Sequence, residues 1–173
     1  MPQTNKLSFN CIHSIAEKLL SLSPRPKVIG IDGWLGAGKS YLGRKLAPII
    51  SGTFYDLDSA LALYRSRFVE AINLDHIRSN VIPENGTHIV SGVCLLQVMQ
   101  LAGISVDQLI YVKRMSSWGW ADEDELRDSN LKKLPGSQRG NMLRREVSQY
   151  HLNWNPIDCA DFEYHRSEDQ YLI

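Results

Sequence analysis

Val28-Ile29-Gly30-Ile31-Asp32-Gly33-Trp34-Leu35-Gly36-Ala37-Gly38-Lys39-Ser40 runs from a short apolar stretch through a glycine-rich turn into Lys-Ser at the start of a helical pattern. Gly33 to Ser40 fits G-x-x-x-x-G-K-[ST] without a gap, and Gly36 adds a further position free to take positive φ. Such a turn lets backbone N–H groups converge on one concave surface at a helix N-terminus, where the positive end of the helix favours an anion. The stretch reads as a phosphate-binding loop. Gly33, Gly36, Ala37, Gly38, Lys39, Ser40 and Tyr41 are the expected nucleotide-binding residues, with Lys39 bridging the terminal phosphates and the Ser40 hydroxyl ligating Mg²⁺. A strand-turn-helix corner that binds nothing is the plainer alternative, and the unbroken match in its strand-to-helix context weighs against it.

A chain of 173 residues with 43% hydrophobic content fits one domain with one sizeable core. Nineteen Lys and Arg balance nineteen Asp and Glu, so there is no net field to hold a polyanion and nucleic acid is not an expected partner. Cys11, Cys94 and Cys159 are scattered and form no C-x-x-C pair, which argues against a disulfide framework or a zinc site and for a reducing compartment. Met1 to Lys6 lack a signal-peptide apolar core, and no apolar run reaches membrane-spanning length. A cytoplasmic protein without a membrane partner is expected. The sequence carries no signal for an oligomeric state.

In chain order, Phe9, Ile12, Ile15, Ala16, Leu19 and Leu20 fall at helical spacing over 8–22, with Ser8 as N-cap, until Ser23-Pro24-Arg25-Pro26 ends the run. The first strand then spans Lys27 to Asp32. The helix from Lys39 to about Ile50 carries Leu42, Leu46 and Ile49 on one face, and Thr53-Phe54-Tyr55-Asp56-Leu57-Asp58 alternates as a second strand. Alternation places Phe54, Asp56 and Asp58 on one side, so two carboxylates emerge at the strand's carboxyl end, where open α/β sheets bind ligands. One of them suits a general base. Asp58 and Ser59 capping the next helix is the plainer reading, and the two are compatible.

The 59–81 segment is helical in pattern with a restart at Asn73, and its Arg65, Arg67 and Arg78 read as a solvated face or as a clamp on an acceptor's phosphate. Thr87 to Gly92 is expected as a third strand, Cys94 to Leu101 as a helix ended by Gly103, and Asp107 to Lys113 as a fourth strand. From Arg114 to Gly140 the chain turns polar, as an ordered insertion or a lid. The run Asp122-Glu123-Asp124-Glu125 there suits a helix start, and Trp118 and Trp120 suit either local packing or stacking on a base. A helix over 138–151 and a last strand over Asp161 to His165 complete the pattern. The expected organisation is a lead-in helix, 1–26, packed on a single domain, 27–173, with the lid or insertion at 114–140.

Strands alternating with helices indicate a three-layer α/β/α fold around a five-stranded parallel sheet, the P-loop NTPase layout. Val28 to Gly33 leading into the loop, Asp58 after strand two, His88-Ile89-Val90-Ser91-Gly92-Val93 and the late Asn155-Pro156 with Ala160-Asp161 resemble the uridine kinase-like branch of the P-loop kinases. The resemblance implies an ATP- and Mg²⁺-dependent phosphotransferase acting on a hydroxyl acceptor such as a nucleoside. It implies Asp58 as the base that takes the acceptor's proton, and lid arginines that steady the phosphoryl group, drawn from Arg114, Arg127, Arg139, Arg144 and Arg145, with Arg139 and Arg144 favoured. Ser91 stands where the family usually has a Glu, so the metal falls to Ser40, water and Asp56 or Asp58. The chain also lacks the dense arginine pattern of a typical lid. A nucleotide-binding regulatory module with weak or no kinase activity is the alternative from another class. A GTPase switch is disfavoured because no N-K-x-D motif comes after the fourth strand.

Overall fold

The computed structural model describes residues 6–62, 67–127 and 139–167, with side chains from residue 142 onward in the last stretch. Residues 63–66 of the expected 59–81 helix, with Leu63 and Arg65, lie outside the described residues. So do 128–138 of the expected lid, with Pro135-Gly136, and the polar tail after 167.

The strand that leads into the glycine-rich loop, β2 (Val28–Gly33), is central and buried throughout, flanked by β4 (His88–Ser91) and β5 (Gln108–Ser116). β3 (Thr53–Asp56) lies outside β4, and β7 (Phe162–Ser167) outside β5. β1 (Leu7–Phe9) adds to β7, giving the order β1-β7-β5-β2-β4-β3 with every pair parallel, while β6 (Gly119–Trp120) runs antiparallel on β5. The sheet therefore has seven strands, not the five expected. The reason is local. Leu7-Ser8-Phe9 also fits the helical period of residues 12–20, but Ser8 pairs with Glu163 instead of capping, and α1 (Ile12–Leu20) starts after Cys11 without a side-chain cap bond.

Period-2 alternation sorts the sheet's side chains into two cores. Ile29, Ile31, Ile89, Ile110 and Val112 face α1 and α2 (Lys39–Ile49), whose Ile15, Leu19, Leu42 and Leu46 are fully or almost fully buried. Val28, Val90, Leu109 and Tyr111 face the opposite layer of α3 (Phe68–Ala71), α4 (Leu74–Asn80), α5 (Leu95–Ala102) and α7 (Arg139–Trp154). The three-layer expectation holds.

Several boundaries differ from expectation for identifiable reasons. The second strand ends at Asp56, whose carboxylate accepts from the Asp58 amide (3.3 Å) and turns Leu57–Ala60 into a 3₁₀ segment, so Asp58 is not a strand residue. The restart at Asn73 is present, its side chain accepting from the His76 amide at 3.1 Å. The acidic run does open a helix, α6 (Glu123–Arg127), and Gly103 ends α5 with a φ of 74°. Among the described residues, no helix is long and apolar enough to cross a membrane.

Candidate functional site

The loop sits where β2 ends between its two neighbours. Gly36 and Gly38 take φ values of 73° and 100°, and Gly38 is the N-cap of α2, so the first N–H groups of that helix, which lack intrahelical partners, open onto the loop. Lys39 is buried, and its Nζ donates to the Gly33 and Trp34 carbonyls at 2.9 and 2.7 Å. Burial lowers the Lys39 pKa, and the surrounding carboxylates of Asp32, Asp58, Asp122 and Asp56 oppose that shift. Gly38 cannot be replaced without cost: a Cβ there would lie 2.5 Å from Arg166 Nη1, on a backbone conformation that L side chains rarely adopt. Gly38→Ala is expected to cost about 1–3 kcal/mol in chemical denaturation and to weaken nucleotide binding in parallel, because both effects arise at one strained residue.

The loop, the first turns of α2 and the ends of β3 and β4 enclose a cleft of about 550 Å³, lined by Lys39, Ser40, Tyr41, Asp56, Asp58 and Gly92 among others. The two carboxylates thus share one cleft with the glycine-rich loop, although only Asp56 is in the strand. Enclosure raises the Asp58 pKa, neighbouring Asp56 raises it further, and Lys39 pulls it back. Ser91 is in register with both Ile31 and Asp56, and its hydroxyl lies 3.5 Å from that of Ser40. Among the described residues no group of three His, Cys, Asp or Glu is placed to hold a metal. Mg²⁺ at phosphoryl-transfer sites takes only one or two protein oxygens besides phosphate and water, and the hard oxygen donors of Ser40 and Asp56 fit that need.

Beneath the loop lies a polar network that was not anticipated. Asp32 is fully buried; its carboxylate accepts from the Gly33 amide at 2.7 Å and from the Tyr150 hydroxyl of α7, which in turn accepts from the Leu96 amide at 3.1 Å. Next along α7, His151 Nδ1 faces the Val147 carbonyl (2.7 Å) and so donates to it, leaving Nε2 to accept from Tyr111 (2.9 Å). Trp34 Nε1 donates to Glu125 at 2.8 Å, tying the loop to α6. Burial pushes the Asp32 carboxyl up to about 6, against the opposing effects of Tyr150, Lys39 and the Gly33 amide, and holds His151 down at about 4.

A raised native pKa means that stability from Asp32 is fully present below about 3.8 and lost as pH rises to about 6. The loss is about 3 kcal/mol at the usual conversion of 1.36 kcal/mol per pKa unit. His151 has the opposite sign over an overlapping window, since its stability is lost as pH falls from about 6.5 to about 4. The total pH curve therefore masks both. The difference in unfolding free energy between wild type and Asp32→Asn, measured from pH 4 to 7, is expected to drift in favour of the variant by up to about that amount. A flat difference would mean that Asp32 titrates normally.

The arginines expected over the acceptor or the lid are mostly engaged elsewhere. Arg114 pairs with buried Asp122 (2.7 Å), Arg127 with Glu123 (2.6 Å), Arg67 with Glu70 (3.6 Å), and Arg78 with Asp75 (2.7 Å). Arg144 is exposed on α7 and does not line the loop cleft, while Arg145 lines a separate cleft with Tyr150 and Trp154. Arg139 is the first residue of α7, and its side chain lies outside the described residues. Trp120 packs edge-on against Tyr111, whereas Trp118 is 91% exposed. Arg44 and Lys45 line the cleft from α2, and Arg166 lies against Gly38 of the loop. The first two come after Ser40 at the spacing of the next helical turn, a signal present in the sequence.

No family model matches the chain, and no curated protein matches it by sequence. Solved structures do match. A possible uridine kinase from Bacillus stearothermophilus superposes with a TM-score of 0.58 at 14% identity, over 88% of this chain and 96% of that one. The fold is that of the P-loop kinases. A protein proposed to be a fructose transport system kinase, from a Silicibacter species, matches at a TM-score of 0.48 and 16% identity, covering 90% of this chain and 99% of that one. Shikimate kinase from Bacteroides thetaiotaomicron matches at 0.35 and 16%, over 80% and 85%. In a P-loop kinase fold, as in other open α/β sheets, ligands bind beyond the carboxyl ends of the strands. In this chain those ends carry Gly33, Asp56 and Ser91.

Proposed function

We propose that the protein transfers the terminal phosphoryl group of ATP to the hydroxyl of a small molecule such as a nucleoside or related metabolite. The observation that carries the reading is the sharing of one cleft by Lys39 and Ser40 with Asp56 and Asp58. The amides from Gly36 to Ser40, with Lys39, hold the donor phosphates. Ser40 and Asp56 hold Mg²⁺, which when bound neutralises charge on the phosphate oxygens. Asp58 takes the proton of the acceptor hydroxyl, and its raised pKa makes it a stronger base than a solvated carboxylate.

Release of ADP from ATP and Mg²⁺ is the direct test, screened against nucleosides, nucleotides, sugars and vitamin precursors with Lys39→Ala as the control. Acceptor-dependent ADP from the wild type alone supports the kinase. The presence of Ser91, a hydroxyl beside Ser40 and no carboxylate, favours a second reading as a nucleotide-binding regulatory module. That reading predicts a nucleotide-dependent rise in melting temperature with no ADP formed for any acceptor.

A further inference from the structure

Two cations in the loop cleft have no task in phosphoryl transfer as assigned to Lys39, Ser40, Asp56 and Asp58. Arg44 and Lys45 line the cleft from the second turn of α2, on the helix face they share with Tyr41. Each is held by an aromatic ring. The Arg44 guanidinium lies 5.7 Å from the centre of the Phe54 ring, and Phe54 itself fits there because Gly43 has no Cβ, which would come within 2.2 Å of the ring. Lys45 Nζ lies 6.0 Å from the centre of the Tyr41 ring. Among the described residues Lys45 forms no ion pair, and the contact between Arg44 and Asp56 is a loose 3.9 Å. Both head groups therefore keep hydrogen-bond donors free to meet a ligand.

We infer that the acceptor carries an anionic oxygen group, a phosphate or a carboxylate, in addition to its reactive hydroxyl, and that Arg44 and Lys45 bind that group. The inference rests on the kinase reading and names its substrate class. With Lys39 engaged on the donor, Asp56 on the metal and Asp58 on the proton, a neutral acceptor would leave Arg44 and Lys45, both exposed, with only water to meet them. An anionic acceptor replaces that water with charge-assisted hydrogen bonds. It is also held at a fixed distance from Asp58, which orients its hydroxyl. In the transfer the acceptor oxygen bonds to the γ-phosphorus as the bond from that phosphorus to the β-bridging oxygen breaks. The hydroxyl proton passes to Asp58, ADP leaves, and the anionic group is unchanged.

The test needs no known acceptor. The full chain is saturated with Mg²⁺ and a non-hydrolysable ATP analogue, so that the donor phosphate positions are filled, and then titrated calorimetrically with inorganic phosphate and separately with acetate. The wild type is expected to bind one further anion, the stronger arm naming phosphate or carboxylate as the group. Arg44→Gln/Lys45→Gln is expected to weaken that binding about tenfold or more while its affinity for the analogue stays within about twofold. Both residues are exposed, so the variant should unfold at the wild-type temperature; Lys45→Gln alone serves if it does not. Analogue binding without a second anion overturns the inference and leaves the kinase reading standing. A variant that loses analogue affinity instead assigns the two cations to the donor and also overturns it. A wild type that fails to bind the analogue removes the kinase reading itself.

Discussion

Lys39→Ala is expected to lower the rate of the proposed acceptor phosphorylation by about a hundred- to a thousandfold, the loss that follows when one preorganised donor is removed from a site where charge develops. The ammonium is already in place: Nζ is fixed between the Gly33 and Trp34 carbonyls, on a residue only 8% exposed, so little reorganisation precedes its use. Burial lowers its pKa, as it does for any cation short of water, and the nearby carboxylates oppose that shift. Removing it leaves two loop carbonyls without their donor but also removes a buried charge, so stability should change much less than rate. Steady-state kinetics and a thermal melt on the same preparation separate the two effects. Wild-type turnover in the Lys39→Ala variant would mean that the phosphoryl group does not pass over this loop.

The fold was legible because its signals are local. The glycine spacing of 33–38 marks the loop, and short apolar, β-branched or aromatic runs in Val28 to Gly33, His88 to Ser91 and Gln108 to Val112 mark the strands that support it. The short strands β1 and β6 were not legible, since three residues, Leu7 to Phe9, and two, Gly119 and Trp120, are too few for a period to declare itself. Asp56 and Asp58 were found by a strand argument that is half right: they share the cleft, but a side-chain-capped 3₁₀ turn puts the second one there. Asp32 was passed over because a carboxylate in an apolar strand resembles a solvated strand end until the partner is known, and Tyr150 is 118 positions away. A contact at that separation leaves no trace in spacing. Arg166 over Gly38 was invisible for the same reason.

Asp58→Asn is expected to slow transfer by about a hundred- to ten-thousandfold, the range for loss of a general base, with the KM for ATP little changed. The pH dependence carries the sharper information. In the wild type the acid limb of the rate profile should reflect Asp58, shifted above the usual carboxylate range by enclosure and by Asp56, so the rate falls as pH drops through that raised value. The asparagine variant keeps the side-chain shape and should lose that limb, leaving a slow rate almost independent of pH. Asp56→Asn makes the necessary contrast. Asp56 caps the turn that carries Asp58 and lies in register with Ser91, whose hydroxyl is 3.5 Å from that of Ser40, so its loss should raise the Mg²⁺ concentration needed for half-maximal rate while keeping an acid limb, moved to lower pH because the like charge that raised Asp58 is gone. If the two variants behave alike, the carboxylates act as one unit in metal binding and the proton goes elsewhere. Only an acid limb lost with Asp58 and kept without Asp56 assigns the base.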